Sequence, residues 1–388
     1  MSREAIQNTP LSEILTRKAS AMRIPISGTF ELSPVCNFAC KMCYVRKTEK
    51  EVQNHNRSMM SLEQWLQIAK EAKEAGMLFL LLTGGEPFLW PHFWELYEAL
   101  TEMGFIITIN TNGSLIDDEV IRRLQKKPPK RLHITLYGAS DATYERLCGV
   151  KGVFENIHKT IKKLKAAGIL IKLNSSVTPS NKEDMEEIIR YAKEQDLMLD
   201  MATYMFPPIR RNTQMVGENH RFTEEEYAHC HMKQFRLIQG EEKYLRMLKQ
   251  VKEKSVPPLG LDESCVDPVD GKIRCRAGKA AFWITWDGFM TPCGMMLEPK
   301  VDLYDNDFNS AWKKIVDISQ KVSVSGVCDT CPNKGLCNTC AAIAMAETGS
   351  TKGIPTYLCK AVEVFQEIAD RDLNCFNINI EEKEKTAK

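Results

Sequence analysis

The sequence predicts an α/β protein in which a parallel sheet is followed by a cysteine-rich region. Short runs of β-branched and leucine residues alternate with amphipathic helical patterns, and most of the 14 cysteines lie in two groups. Repeated strand and helix units form parallel sheets with right-handed crossovers, either doubly wound or curled into a full or partial (β/α) barrel. The predicted strands cover residues 26–32, 77–82, 105–110, 131–136, 169–177 and 197–203.

The predicted helices between these strands carry start signals and apolar faces. Ser61 and Gln64 form a capping box ahead of a helix whose apolar residues recur at i, i+3 and i+4. Asn181 is predicted to cap a later helix. The first of these helices buries Leu62, Trp65, Leu66, Ala69 and Ala72, and the second buries Met185, Ile188, Ile189 and Ala192.

After residue 205 the predicted alternation of strand and helix stops. A loop with proline and arginine at 206–212 leads to a polar helix over 223–254, so we expect a domain boundary within 205–260. Residues 264–359 are rich in cysteine, glycine and proline and show little apolar periodicity, which indicates that metal organises them. The terminal EEKEKTAK predicts a solvated tail.

Composition places the chain among globular proteins large enough for more than one domain. Of 388 residues, 43% are hydrophobic and 27% are charged, and the formal charge is +1. This balance excludes disordered and membrane-spanning chains and gives no net field for nucleic acid or an anionic membrane. The N-terminus lacks the apolar segment of a secretory signal, so we expect a cytoplasmic protein whose clustered cysteines serve as metal ligands or catalytic thiols.

Two motifs follow the first two strands. Cys36, Cys40 and Cys43 have the spacing C-x3-C-x2-C, and three thiolates on one loop can hold three corners of a cubane iron-sulfur cluster. The alternatives are a zinc site completed by a distant ligand and a buried thiol cluster. Residues 83–87 read TGGEP, where two glycines let backbone groups approach a ligand at the edge of the sheet.

Together the three-cysteine loop and the GGEP turn resemble the radical S-adenosylmethionine (SAM) superfamily. The resemblance implies a partial (β/α)6 TIM-like barrel in which SAM chelates the open iron of a 4Fe-4S cluster. One-electron reduction then cleaves SAM to methionine and a 5′-deoxyadenosyl radical. The implied cluster ligands are Cys36, Cys40 and Cys43, and the implied contacts to the methionine amino group are Gly84, Gly85 and Glu86.

The same resemblance implies further SAM contacts. Met42 stands where the family usually has an aromatic residue whose backbone contacts adenine, and Tyr44 is a neighbouring ring that can compensate. Thr135 and Asn174 lie late in the fourth and fifth strands, where the family contacts the ribose or carboxylate of SAM. Turn formation is the alternative role for the polar residues at these strand ends.

Seven further cysteines form an ordered framework between residues 275 and 359. Its two C-x2-C pairs alone favour a structural zinc site. Behind a radical SAM core, the array resembles the SPASM domain, which binds two auxiliary iron-sulfur clusters, although the spacing before Cys340 is one residue shorter than the family pattern. The resemblance implies one cluster on Cys328, Cys331, Cys337 and Cys359, and another on Cys275, Cys293 and Cys340, with Cys265 or an open position as its fourth site.

The two resemblances divide the chain into five predicted regions. Cys148, Cys230 and Cys375 fit neither cysteine framework and are predicted to be small core residues, with hydrogen-atom donation as the alternative role. The regions are an N-terminal extension (1–25), a radical SAM core (26–222), a linker helix region (223–261), a SPASM domain with little regular structure (262–375) and a charged tail (376–388).

Since SPASM-bearing radical SAM enzymes mostly modify peptides or proteins, the resemblance implies SAM, three 4Fe-4S clusters and a peptide or protein substrate. The product is a thioether, a carbon-carbon crosslink, an epimer or an oxidised residue. The implied electron donor is a protein such as flavodoxin or ferredoxin. Recognition of a peptide leader is performed by a separate leader-binding protein, performed by the SPASM domain, or absent. We expect no nucleic acid or membrane partner. The alternatives are a sulfatase-maturing oxidase that forms formylglycine, an enzyme that decarboxylates a tetrapyrrole side chain, and a zinc-stabilised scaffold without redox chemistry.

Overall fold

The predicted strands all form, and three short strands join them in one sheet. The computed structural model describes residues 10–255, 273, 275–337 and 339–386. The strands are β1 (Ser27–Glu31), β2 (Phe79–Thr83), β3 (Ile106–Thr111), β4 (Arg131–Thr135), β5 (Ile171–Ser176), β6 (Met198–Ala202), β7 (Ala281–Ile284), β8 (Phe289–Thr291) and β9 (Val301–Asp302).

The sheet is an open, mostly parallel barrel. Its strand order is β6-β5-β4-β3-β2-β1-β7-β8-β9, so β6 and β9 are its edges. The neighbouring strands from β6 to β7 in this order pair in parallel, with Gly28 opposite Leu80 and Leu132 opposite Ile171. Strand β8 runs in the reverse direction and pairs antiparallel with both β7 and β9. The expected partial (β/α)6 TIM-like barrel is therefore confirmed. In such a barrel the carboxyl ends of the strands meet at one face, where functional sites are built.

Helices cover the outer face of the barrel, and others follow it in the chain. Their bounds are α1 (Leu11–Met22), α2 (Glu49–Gln53), α3 (Leu62–Glu74), α4 (Phe93–Glu102), α5 (Asp118–Lys126), α6 (Asp141–Cys148), α7 (Phe154–Ala166), α8 (Met185–Glu194), α9 (Glu224–Gln239), α10 (Glu241–Lys252), α11 (Phe308–Ser319), α12 (Gly326–Asp329), α13 (Ala341–Thr348) and α14 (Thr356–Thr386).

Helix α3 shows how the sequence pattern produces the barrel core. Ser61 and Gln64 form the predicted capping box, with both reciprocal hydrogen bonds present. Trp65 is fully buried and packs on Phe30 of β1 with ring centroids 4.7 Å apart. Burial of one large apolar side chain contributes about 1.5–3 kcal/mol. The apolar stripe of α3 therefore fixes this helix against the strand that precedes the cysteine loop.

Two helical predictions need correction. Asn181 does not cap α8; its buried side chain accepts from the Thr178 backbone N–H at 2.7 Å and donates to Tyr137 O at 2.8 Å, so it joins the loops after β4 and β5. The single helix predicted over 223–254 is two helices, because Gly240 adopts a φ of 83°, outside the helical region. Both helices, α9 and α10, contact α14.

The region after residue 275 contains more regular structure than predicted. Strand β7 extends the barrel sheet beside β1, and α11 packs on the same sheet through Phe308, whose ring lies 5.1 Å from that of Phe282. These strands have two to four residues and turns between them, so they give no periodic signal in the sequence. Helix α14 continues through Thr386, into the predicted charged tail. In the part of the chain described here, no helix is long and apolar enough to cross a membrane.

Candidate active site and metal centres

A cavity of about 360 Å³ lies at the carboxyl ends of the barrel strands, a size typical of small-molecule sites. A second cavity, of about 430 Å³, lies at the opposite end of the barrel, where Ser27 and Ile106 begin their strands, and holds none of the predicted site residues. The first cavity is lined by Cys36, Phe38, Cys40, Met42, Cys43, Tyr44, Val45, Thr83, Gly84, Gly85, Asn110, Thr111, Asn112, Thr135, Tyr137, Ser176, Ala202, Tyr204, Met205, Phe206 and Met295.

The structure brings the three cysteines of the first motif together on this cavity. Their loop follows β1 and is held against the end of α6, because the Ala39 N–H donates to Cys148 O at 2.7 Å and the Lys41 N–H donates to Leu147 O at 3.0 Å. Cys148 is fully buried beneath the loop. The backbone of α6 therefore fixes the loop from below, and its thiols line the cavity above.

The surroundings of these thiols suit ligands of a cationic group. The Phe38 N–H donates to Cys36 Sγ at 3.4 Å and the Arg46 N–H donates to Cys43 Sγ at 3.3 Å. Burial raises the pKa of Cys36 to about 12 and also raises the pKa of Cys43, while a hydrogen bond with the Cys148 thiol and burial raise that of Cys40. Metal-free thiols here are protonated at neutral pH, so a bound metal group must displace protons and supply the compensating charge.

A cubane cluster fits this loop through separate contacts. Each thiolate binds a different iron atom of the cluster, so the thiolates need not meet at one point. Within residues 10–255, 273, 275–337 and 339–386, no group of three or more His, Cys, Asp and Glu side chains is placed to hold a single metal ion. The donor set on the cavity is thus three separate thiols, and those of Cys36 and Cys43 accept backbone N–H hydrogen bonds.

The two glycines after β2 line the cavity and also let the backbone before the cysteine loop approach closely. A Cβ on Gly84 would lie 2.3 Å from Ser33 O, and a Cβ on Gly85 would lie 2.3 Å from Val35 O. The Gly85 N–H donates to Ser33 O at 2.7 Å. Backbone contact at this distance leaves no room for a side chain, so the sequence GG is required to bring the cysteine loop beside strand β2.

Glu86 lies behind the cavity wall, whereas Gly84 and Gly85 line the cavity. Its fully buried carboxylate accepts hydrogen bonds from the Thr111 hydroxyl at 2.9 Å, the Asn112 N–H at 2.8 Å and the Phe88 N–H at 3.2 Å. Burial raises the pKa of Glu86 to about 7. In this structure Glu86 joins the turns after β2 and β3, and its contact with the methionine amino group stays a prediction.

The other predicted SAM contacts lie at or beside the cavity. Met42, Tyr44 and Thr135 line it. Asn174 is paired in register with Thr135, and its Oδ1 is buried without a hydrogen-bond partner. An unsatisfied buried acceptor beside a cavity is unusual and is consistent with a polar ligand at this wall.

Other lining residues lie outside the SAM contacts that the sequence predicted. Tyr204, Met205 and Phe206 follow β6, at a strand end where barrel proteins build their sites. Met295 comes from the cysteine-rich region, and no local pattern places it in the barrel. These side chains add apolar and aromatic surface to the cavity.

The two later cysteine sets that the SPASM resemblance implies stay a prediction as cluster ligands. Burial raises the pKa of Cys293 to about 12, and the nearby Cys340 and Cys275 thiols raise it further. Burial raises the pKa of Cys359, and the nearby Cys337, Cys328 and Cys331 thiols add to this rise. Cys265 lies outside the described residues.

Backbone donors also face the first of these sets. The Met295 N–H donates to Cys293 Sγ at 3.4 Å, and Cys340 caps α13 by accepting from the Ile343 N–H at 3.5 Å. A thiolate at a helix N-terminus is favoured by the helix dipole. These residues therefore fit an anionic, thiolate-bound cluster.

The three unassigned cysteines are not among the residues that line the cavity. Cys148 lies beneath the cysteine loop, Cys230 is half-buried against the helical core that includes α9 and α14, and Cys375 is exposed on α14. Their placement gives no support to the alternative role in hydrogen-atom donation.

Comparison with known proteins identifies a domain that contains the cysteine loop and the barrel strands β2 to β5. The model of the Radical SAM superfamily matches residues 30–192. An AdoMet-dependent heme synthase from Methanosarcina barkeri is 23% identical over 334 residues, which cover 82% of this chain and 92% of the relative. The antilisterial bacteriocin subtilosin biosynthesis protein AlbA from Bacillus subtilis is 25% identical over 344 residues, covering 84% of this chain and 69% of AlbA.

Solved structures share the fold. Streptococcus suis SuiB bound to its precursor peptide SuiA aligns with a TM-score of 0.65 at 17% identity, covering 89% of this chain and 79% of SuiB. The protein anSMEcpe with bound AdoMet aligns with a TM-score of 0.67 at 19% identity, covering 92% of this chain and 100% of that protein. The cysteine loop, the barrel and the family match agree that residues 30–192 of this chain form a domain of the Radical SAM superfamily.

Proposed function

We propose that this enzyme binds SAM and three 4Fe-4S clusters and modifies a residue of a peptide or protein. The observation that carries the proposal is the composition of the cavity at the carboxyl face of the barrel. The cavity is lined by Cys36, Cys40 and Cys43 and also by Tyr204, Phe206 and Met295. One cavity thus combines the thiols of the SAM-binding motif with apolar and aromatic side chains that suit an amino acid side chain.

The chain's own residues would hold and orient the reactants. Cys36, Cys40 and Cys43 would hold the catalytic cluster, and Gly84, Gly85, Thr135 and Asn174 would orient SAM beside it. When bound, these groups supply a 5′-deoxyadenosyl radical that removes a hydrogen atom from an unactivated C–H bond. Phe38, Met42 and Tyr137 line the space between the strand ends, so they exclude water from that reaction.

The other two cysteine sets would hold auxiliary clusters that accept an electron from the substrate. A carbon radical must lose one electron when the product is a net two-electron oxidation, and an iron-sulfur cluster can accept it. Met295 lines the cavity and lies two residues after Cys293, which belongs to the first set with Cys275 and Cys340. The loop of this set is therefore adjacent to the cavity. The second set is continuous with the first, since Cys337 and Cys340 are three residues apart.

The names of two similar proteins support a peptide substrate. AlbA is named for bacteriocin biosynthesis, and SuiB was solved with its precursor peptide. A flavodoxin or ferredoxin would supply the first electron, and a separate protein would present the leader of the peptide. Formylglycine formation on a sulfatase is the variant of this proposal in which the target is a folded protein's cysteine or serine.

Decarboxylation of a tetrapyrrole side chain is the second candidate, because the relative from Methanosarcina barkeri is named a heme synthase. A tetrapyrrole with propionate side chains calls for arginine or lysine partners at its binding site. No Lys or Arg is among the described residues that line the cavity. The cavity chemistry therefore favours the peptide over the tetrapyrrole.

Deuterium transfer distinguishes these substrates. The reconstituted enzyme is incubated with SAM and dithionite, together with either a perdeuterated mixture of cysteine-containing peptides or a perdeuterated tetrapyrrole bearing propionates. We expect the peptides to yield 5′-deoxyadenosine heavier by one deuterium and the tetrapyrrole to yield unlabelled product, as read by mass spectrometry. Label from the tetrapyrrole alone would contradict the peptide proposal and favour the second candidate.

A further inference from the structure

A buried ion pair lies between the barrel and the first auxiliary cysteine set. Glu31 ends β1 with its side chain fully buried, and Arg210, 12% exposed, reaches it from the loop after β6. Arg210 Nη2 lies 2.9 Å and 3.0 Å from the two carboxylate oxygens, and Trp283 Nε1 of β7 donates to the same carboxylate at 2.9 Å. Burying such a pair costs desolvation, so its position calls for an explanation.

The second arm of Arg210 binds the loop that carries Cys293. Arg210 Nη1 donates to Gly294 O at 2.7 Å, in the residue directly after Cys293. Gly294 packs closely against Trp283, because a Cβ at residue 294 would lie 2.6 Å from the indole ring. Arg210 and Trp283 therefore hold the Cys293 loop from two sides, and both also bind Glu31.

The next arginine in the chain binds the other cysteine loop. Arg211 Nη1 donates to Cys43 O at 3.4 Å, whereas Arg210 Nη1 donates to Gly294 O at 2.7 Å. The guanidinium of Arg210 therefore lies at the loop of the auxiliary set, and that of Arg211 lies at the catalytic loop.

We propose that Arg210 is a positioning residue for the auxiliary cluster on Cys275, Cys293 and Cys340, and that Glu31 sets how much of its charge that cluster experiences. The guanidinium seats the Cys293 loop against the barrel and stabilises the more negative, reduced state of the cluster. Glu31 partly cancels this effect. The inference rests on the proposed function, because it requires that auxiliary cluster.

The test measures cluster potentials and needs no substrate. Full-length protein carrying Cys36→Ala, Cys40→Ala and Cys43→Ala is reconstituted, so that only auxiliary clusters remain, and is titrated with dithionite under electron paramagnetic resonance. Adding Cys293→Ala identifies the signal of the cluster in question. Each further variant is then compared with this reference for midpoint potential and iron content.

The two partners are expected to shift that potential in opposite directions. Arg210→Gln leaves Glu31 unpaired and moves the potential to more negative values, or loses the cluster while the other auxiliary signal persists. Glu31→Gln leaves Arg210 unpaired and moves the potential to more positive values, because net charge near a cluster sets its potential. The matched control is Arg236→Gln, which removes an exposed Arg–Glu pair and leaves the potential unchanged.

An unchanged potential with full iron content in Arg210→Gln, or shifts of the same sign in both variants, would overturn the inference. If Arg210→Gln does not fold, the sign of the shift in Glu31→Gln decides. If Cys293→Ala removes no signal, the auxiliary cluster itself is absent. That outcome refutes the proposed function's cluster assignment, and the iron content reports it separately.

Discussion

Replacing Cys36, Cys40 and Cys43 together with alanine is expected to abolish reductive cleavage of SAM. Formation of 5′-deoxyadenosine should fall at least ~1,000-fold, because these thiols line the cavity and would hold the iron that binds SAM. Iron should fall from about twelve to about eight atoms per chain, since one of three 4Fe-4S clusters is lost. Both quantities are measured on anaerobically reconstituted protein with SAM and dithionite.

The matched control is Cys375→Ala, which removes an exposed thiol from α14. It should keep both the iron content and the rate of 5′-deoxyadenosine formation. Retention of iron and activity in the triple variant would show that a different set of residues holds the catalytic cluster.

Replacing Glu347 with alanine is expected to give the largest loss of folding stability, about 3–5 kcal/mol, because it leaves Arg221 as an unpaired buried charge. The side chains of this pair are 8% and 4% exposed, and Arg221 Nη2 lies 3.0 Å from Glu347 Oε2. Glu347 also accepts a hydrogen bond from Tyr204, which lines the cavity. The loss is measured as the change in free energy of unfolding in urea.

The comparison variant is Glu241→Ala, which breaks an exposed pair with Arg236 and should cost less than about 1 kcal/mol. The double variant Arg221→Ala with Glu347→Ala should recover part of the stability, because no unpaired charge remains. A change within 1 kcal/mol of wild type for Glu347→Ala would show that the pair does not carry this part of the fold.

Local patterns predicted the barrel and the cysteine loop because both depend on residues close in sequence. The fifth strand, predicted over 169–177, forms at Ile171–Ser176, and Ser61 caps α3 as its capping box requires. Cys36, Cys40 and Cys43 share one loop, so their spacing alone brings them to one strand end. The position of that loop in the fold is then fixed by backbone hydrogen bonds to the end of α6.

Features that depend on distant segments could not be predicted in this way. Strand β7 has four residues, and what makes it a strand is the free edge of β1, about 250 residues earlier in the chain. Met295 reaches the cavity only because its loop is seated on Trp283. Asn181 resembles a helix cap in sequence, but two neighbouring loops compete for its side chain and bind it.

Counting metals tests most directly whether one chain holds a catalytic cluster and two auxiliary clusters. Iron, acid-labile sulfide and zinc are measured per chain in wild-type protein reconstituted without oxygen. We expect about twelve irons, an equal amount of sulfide and no bound zinc. About four irons together with zinc would show that the C-terminal cysteines form a structural zinc site.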